Sequence, residues 1–250
     1  MYNNVAMPSF LKVKTVEIPV FASISNNILQ KTGGIGGILG ATKLGSKAFK
    51  IKVMIVPNLL TDTNASMARD LAVWLMGDSW KLTELYFSDD PFIKYDAIVN
   101  NSMSITDLIY AGEGDIEFIV PSGVGRGTIY GKLATVNLGA RTASLVYNGT
   151  APSYALITYV PSQAIVEGNN WTFTNVTTGE RIKIKNFSSG STNILDSAKR
   201  KVTSTGTTTI KDIVLSQTEW IKFPKQGTYS LSWNYGTTSS MEIKCTEYYL

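Results

Sequence analysis

Between Gly227 and Tyr235 the chain reads Gly-Thr-Tyr-Ser-Leu-Ser-Trp-Asn-Tyr. Tyr229, Leu231, Trp233 and Tyr235 alternate with Ser230, Ser232 and Asn234, so a strand here puts the large side chains on one face and the small polar ones on the other. An antiparallel sheet with one wet face needs this pattern. The same period recurs upstream. Lys50-Ile51-Lys52-Val53-Met54-Ile55 sets Ile51, Val53 and Ile55 together, Asp115-Ile116-Glu117-Phe118 turns its acids outward, and Arg181-Ile182-Lys183-Ile184-Lys185 alternates apolar with basic side chains. Threonine, serine, tyrosine, valine and isoleucine recur throughout, residues that suit a pleated, half-buried surface. In the second half turn pairs follow at short spacing, Thr178-Gly179, Ser189-Gly190, Thr205-Gly206, Gln226-Gly227 and then Gly236, the rhythm of a sandwich. The expected fold class is mainly β.

A single segment carries the helical period. Between Thr63 and Gly77, Met67, Leu71, Trp74 and Leu75 fall at i, i+4, i+7 and i+8 and form one apolar stripe. Thr63 or Asn64 is placed to cap its start, and Gly77 to take the left-handed conformation that ends it. Arg69 and Asp70 occupy the opposite face, so the helix is expected on the outside of a sheet.

Two stretches interrupt the strand pattern. Ser23–Ser46 holds Gly33, Gly34, Gly36, Gly37, Gly40 and Gly45 with Ile35, Ile38 and Leu39 among them. It is longer and more apolar than an ordinary loop, a length that marks functional or disordered segments. Pro121–Pro152, with six glycines, separates two halves of different charge. Through Ala140 there are 12 Lys and Arg against 12 Asp and Glu; beyond it the counts are 11 and 7, so the excess of +4 lies in the second half. A chain of 250 residues suits one large domain or two modest ones. The division drawn here is a first domain over 1–140 and a second over 150–250.

Composition speaks against catalysis. Histidine is absent, which removes the commonest general base and metal ligand and the Ser-His and Cys-His pairs. One cysteine, Cys245, excludes an internal disulfide and a cysteine zinc cage. It alternates with Met241 and Ile243, so a buried inert thiol is expected. Met1–Phe10 lacks a basic region followed by an apolar core, so no signal peptide is expected, and no apolar run approaches the roughly 20 residues of a membrane span. N-x-S/T triplets such as Asn148-Gly149-Thr150 therefore carry no weight.

Gly40-Ala41-Thr42-Lys43-Leu44-Gly45-Ser46-Lys47 has the glycine spacing of a phosphate-binding loop. Its serine and lysine stand in the wrong order, and it leads into a strand instead of a helix N-terminus. Asp89-Asp90-Pro91 fits a turn better than a carboxylate dyad, because neighbours on a strand point apart. Asp62, Asp107, Glu113 and Asp115 build no recognised oxygen cage. A hydrolase acting through Asp89 or Asp96 is thus a distant reading. No cofactor or metal is expected. Trp171, Trp220 and Trp233 read first as sandwich core, with Trp171 also open to a sugar-stacking role.

The helix Ala65–Leu75 with its Trp-Leu end, Lys81-Leu82 through Tyr86, Ser88-Asp89-Asp90-Pro91, Lys94-Tyr95-Asp96-Ala97-Ile98-Val99 and Gly114–Phe118 come in an order that is diffuse but distinctive in combination. Over Ala65–Pro121 the chain resembles the N-terminal domain of the distal tail proteins of long non-contractile-tailed phages of Gram-positive bacteria. Trp171–Glu180, Trp220–Pro224, Gly227 and Cys245–Leu250 are similar to that family's C-terminal galectin-like β-sandwich. The resemblance implies a β-sandwich-like ring domain with one helix, then the galectin-like domain. It implies a non-enzymatic hub at the virion's tail tip, made in the host bacterial cytoplasm. The hub is a homo-oligomeric ring, hexameric in the family, that joins tail tube protein, tape-measure or tail-associated protein and receptor-binding protein, with no membrane partner. DNA passes through its channel unbound, which a charge-neutral first domain suits. The family's arm onto the neighbouring subunit falls at about 23–46, so Ile35, Ile38 and Leu39 are the expected contacts. The galactoside site of galectins includes a histidine that this chain lacks. A competing reading is a module for cell-wall carbohydrate in 150–250, carried by Trp171, Tyr154 and Tyr159.

Overall fold

The computed structural model describes residues 1–2, 5–30, 37–56, 63–76, 81–100, 111–127, 131–165, 170–234 and 238–250. The fold is mainly β, and the chain divides into two compact units, Met1–Thr128 and Ile129–Tyr249. The division falls inside the glycine-rich stretch 121–152. Among the described residues no helix is long and apolar enough to cross a membrane.

The first unit contains β1 (Leu11–Glu17), β2 (Ile24–Gln30), β3 (Gly37–Leu44), β4 (Lys47–Ile55), α1 (Asn64–Met76), β5 (Thr83–Leu85), β6 (Ile93–Val99), β7 (Glu113–Val120) and β8 (Gly125–Gly127). Antiparallel pairing runs β1-β4-β7-β6-β8, with β5 also on β6. The expected alternation holds on β4 and β7, where Phe49, Ile51, Val53, Ile116, Phe118 and Val120 are buried. Helix α1 closes this core with Met67, Leu71 and Trp74. The Trp74 ring stands edge-on to Tyr2 and Phe118, and its indole N–H donates to the Val5 carbonyl at 3.3 Å. Thr63 caps the helix reciprocally with Ser66, each backbone N–H donating to the other's hydroxyl, at 3.1 and 2.9 Å. Gly77, the expected terminator, lies outside the described residues.

The second unit contains β9 (Lys132–Leu133), β10 (Thr135–Asn137), β11 (Thr142–Tyr147), β12 (Ser153–Tyr154), β13 (Leu156–Pro161), β14 (Trp171–Asn175), β15 (Arg181–Ile184), β16 (Asn193–Asp196), β17 (Lys201–Ser204), β18 (Lys222–Phe223), β19 (Gly227–Trp233), β20 (Thr238–Cys245) and β21 (Tyr248–Tyr249). Two five-stranded antiparallel sheets, β10-β11-β19-β14-β15 and β17-β16-β13-β20-β9, enclose one apolar core, and β12 pairs with β18. The chain changes sheets at Ala134, whose N–H donates to the Ile243 carbonyl at 2.9 Å, while β10 goes on to pair with β11. Tyr229, Leu231 and Trp233 are buried as their alternation requires; Tyr235 lies outside the described residues. Met241, Ile243 and Cys245 point into the same core, and burial pushes the Cys245 thiol up to about 12.

Ser23–Ser46, read from sequence as a break in the strand pattern, contains the hairpin β2–β3. Ile24 pairs with Leu44 and the ladder runs to Gln30 with Gly37 across one bulge. The reason it was not legible is physical: residues 24–27 and 42–44 are exposed on both faces, and strand segments with water on both faces need no alternation.

Candidate functional site

The hairpin is the feature whose surroundings are least like a fold element. Its two strands pair with each other and, among the described residues, with no third strand. Seven residues of ladder span roughly 24 Å at the usual strand rise. Ile24, Ser25, Asn26, Asn27, Thr42, Lys43 and Leu44 are all exposed. The segment leading into it exposes Ile18, Val20 and Phe21, with Val20 at 83%. A run of uncovered apolar side chains beside an unpaired ribbon is a surface with something still to bury.

Its base is fixed. Ser23 and Ser46 are joined by a backbone bond of 3.2 Å, and Gly45 N–H donates to the Ser23 carbonyl at 2.6 Å. The turn after β7 packs beneath. Gly123 has φ +71, and a Cβ there would stand 2.3 Å from the Gly45 carbonyl oxygen and 2.9 Å from Ala22. Lys47, the first residue beyond the hairpin, is 2% exposed, with its ammonium 5.6 Å from the Phe49 ring centroid and 5.8 Å from that of Tyr95. Burial lowers its pKa. The Gly40–Lys47 motif is therefore hairpin and strand, with no helix N-terminus to hold an anion.

Of the expected arm contacts, Ile38 and Leu39 lie in β3 with backbones paired to Leu29 and Ile28, and Ile35 lies outside the described residues.

The outer face of β1, β4 and β7 carries both signs of charge. Glu113 accepts from Lys14 and from Lys52, the latter at 2.6 Å, and Lys50 meets Asp115 at 2.9 Å. Hydrogen bonds from the two lysines hold the Glu113 carboxyl down to about 2. A second cluster joins β5, β6 and β8. Arg126 bonds Glu84 and Asp96, and Lys94 bonds Glu84 at 2.6 Å, which, with Arg126, holds the Glu84 carboxyl low. Asp96 is thus engaged by a guanidinium, and Asp89 and Asp90 are exposed in the approach to a turn in which the Asp90 carbonyl accepts from Ile93. Sequence reasoning missed the Arg126 cluster because its members lie up to 42 residues apart. Asp62 and Asp107 lie outside the described residues.

The three aromatic residues named for carbohydrate do not come together. Trp171 and Tyr159 are 0% exposed, with ring centroids 4.9 Å apart and Phe187 against both. They are core and offer no face to a sugar. Tyr154 alone is at the surface, 45% exposed. Trp220 is half-buried and Trp233 buried. The signal was available: Trp171 and Phe173 alternate with threonines, the pattern of a half-buried strand.

No sequence-family profile matches the chain, and no curated protein resembles it in sequence. Among solved structures it is similar to the SPP1 Dit protein, described as a paradigm of the hub adsorption apparatus in Gram-positive-infecting phages. That likeness has 16% identity and a TM-score of 0.69 and covers 100% of this chain and 98% of the other. The phage p2 baseplate in its activated conformation with Sr aligns at 9% identity over 98% and 96% of the two chains, with a TM-score of 0.41, too loose to bear on the fold. At 16% identity the first likeness is one of fold, and it runs the full length of both chains.

Proposed function

We propose that this chain is a structural, non-enzymatic distal tail protein that assembles as a ring, hexameric on the family's pattern, at the tip of a phage tail. The first unit builds the ring and the hairpin β2–β3 lies on the neighbouring copy. The second unit, a galectin-like sandwich, meets the receptor-binding protein. The hub joins the tail tube to the host-adhesion apparatus, contacts the tape-measure or tail-associated protein and lets DNA pass.

The hairpin is the observation that carries this reading. A lone two-stranded ribbon is at best marginally stable in water, and this one leaves every described side chain exposed. A second copy of the chain supplies the missing cover. The full-length likeness to a hub protein supports the same role. The outer face of β1, β4 and β7 suits a conduit wall, because lysines already paired with carboxylates release few counterions on meeting a phosphate backbone.

Electron micrographs of the purified full chain, alone or with tail components, are expected to show annular particles. Deleting residues 33–40 is expected to leave single chains with both units folded by circular dichroism. A chain that stays monomeric with every tail component overturns the ring; unchanged rings in the deletion overturn the part assigned to the hairpin.

A further inference from the structure

We infer that the second unit carries a groove for a neutral oligosaccharide, centred on Tyr154 and distinct from the hairpin. Two clefts share this residue as a wall. The larger, of about 650 Å³, is lined further by Trp220, Glu180, Glu219, Arg200 and Lys222. The other, of about 460 Å³, is lined further by Ser153, Asp196, Lys199, Lys244 and Tyr248.

The local fold explains why the rings are presented. On β12, Ser153 points inward and Tyr154 outward, directly across the ladder from Lys222 on β18. Trp220 packs one side against the sandwich core, which fixes the plane of the indole that borders the cleft. Two of the carboxylates are also held in place. Glu180 is 6% exposed, accepts from the Thr178 hydroxyl and faces the Lys222 ammonium at 3.6 Å. Asp196 accepts from the Lys199 backbone N–H at 3.0 Å and meets its ammonium at 3.4 Å.

A sugar ring offers two chemistries, a C–H face that stacks on an aromatic ring and a rim of hydroxyls that bonds to fixed polar groups. Both are provided here by preset side chains. The larger cleft sets Glu180 and Glu219 against Arg200 and Lys222. At the smaller one Lys199 meets Asp196 while Lys244 meets Glu242 at 2.6 Å. The charges are thus offset by pairing, little field is left for a polyanion, and the ligand is neutral. Beyond the rings, the larger cleft has one apolar side chain, Ile210, which leaves little for the apolar anchors of a protein partner. Two clefts meeting at one ring fit a ligand of several sugar units.

The probes are tetrasaccharides of glucose, galactose, rhamnose and N-acetylglucosamine with the matching monosaccharides, titrated into the full chain by calorimetry and tryptophan fluorescence. At least one tetrasaccharide is expected to bind with a Kd of about 10 μM to 1 mM, roughly tenfold or more tighter than its monosaccharide. Tyr154→Ala, an exposed position that leaves the core intact, is expected to weaken binding about tenfold or more. Trp220→Ala is expected to do the same, with a thermal melt to confirm that it folds. No binding at several millimolar, wild-type binding by Tyr154→Ala, or equal affinity for monomer and tetramer overturns the groove. Capture of a protein through Tyr154 with no saccharide bound does so as well. This inference and the ring fail separately: annular particles that bind no sugar sink this inference alone.

Discussion

Two antiparallel ribbons in this chain have similar ladders and opposite surroundings. β2 and β3 pair from Ile24 with Leu44 to Gln30 with Gly37; β11 and β19 pair from Thr142 with Ser232 to Tyr147 with Gly227. In the second ribbon Ala143, Leu145, Tyr147, Tyr229 and Leu231 are buried. In the first, every described side chain is exposed. The net worth of a backbone hydrogen bond is about 1 kcal/mol, whereas each large apolar side chain removed from water contributes about 1.5–3 kcal/mol. Pairing therefore shapes both ribbons alike, and burial within the unit stabilises only the second.

The largest test of that contrast is in the sandwich. Trp171→Ala opens a cavity against Tyr159, Phe173 and Phe187 and is expected to cost the second unit about 3–5 kcal/mol in chemical denaturation. A loss below about 1 kcal/mol would mean that the core is not where the second unit's stability resides. At the hairpin's base, Gly123→Val forces a Cβ toward the Gly45 carbonyl at a positive φ and is expected to cost about 1–3 kcal/mol. Its signature is local: hydrogen exchange at the Gly45 amide accelerates while that in β11 and β19 does not. Uniform acceleration would mean that base and sheets open as one.

Lys47 gives the smallest effect and sits where the two regimes meet. Lys47→Met keeps the apolar stem, removes a buried cation and is expected to stabilise the first unit by about 1 kcal/mol at neutral pH. Burial lowers the folded pKa below the ordinary lysine value, so between the two values the unfolded chain binds more protons. Wild-type stability accordingly rises with pH through that window, and the variant is expected to lose this rise. A destabilised variant would show that the contacts with Phe49 and Tyr95 outweigh desolvation.

Legibility followed the same division. Helix α1 and its Thr63 cap were readable because a stripe at helical spacing and a hydroxyl at the start are local requirements. Cys245 was readable because it alternates with Met241 and Ile243 into one core. The hairpin was not, since its described side chains are exposed on both faces and no burial selects them for one. Tyr154 and Tyr159 are five residues apart, an odd spacing that puts them on opposite faces of an extended segment, so only one of the two can face solvent.

The sequence by itself determined a β protein with one capped helix, a sandwich in its second half and no histidine-based chemistry, because period, caps and composition are properties of neighbours along the chain. Only the tertiary structure decided that Trp171 is buried while Tyr154 lines two clefts, that Arg126 gathers Glu84 and Asp96, and that 24–30 and 37–44 pair as a ribbon with no third strand among the described residues. Each of those depends on which distant segments take up the space around a side chain, and local sequence carries no record of that.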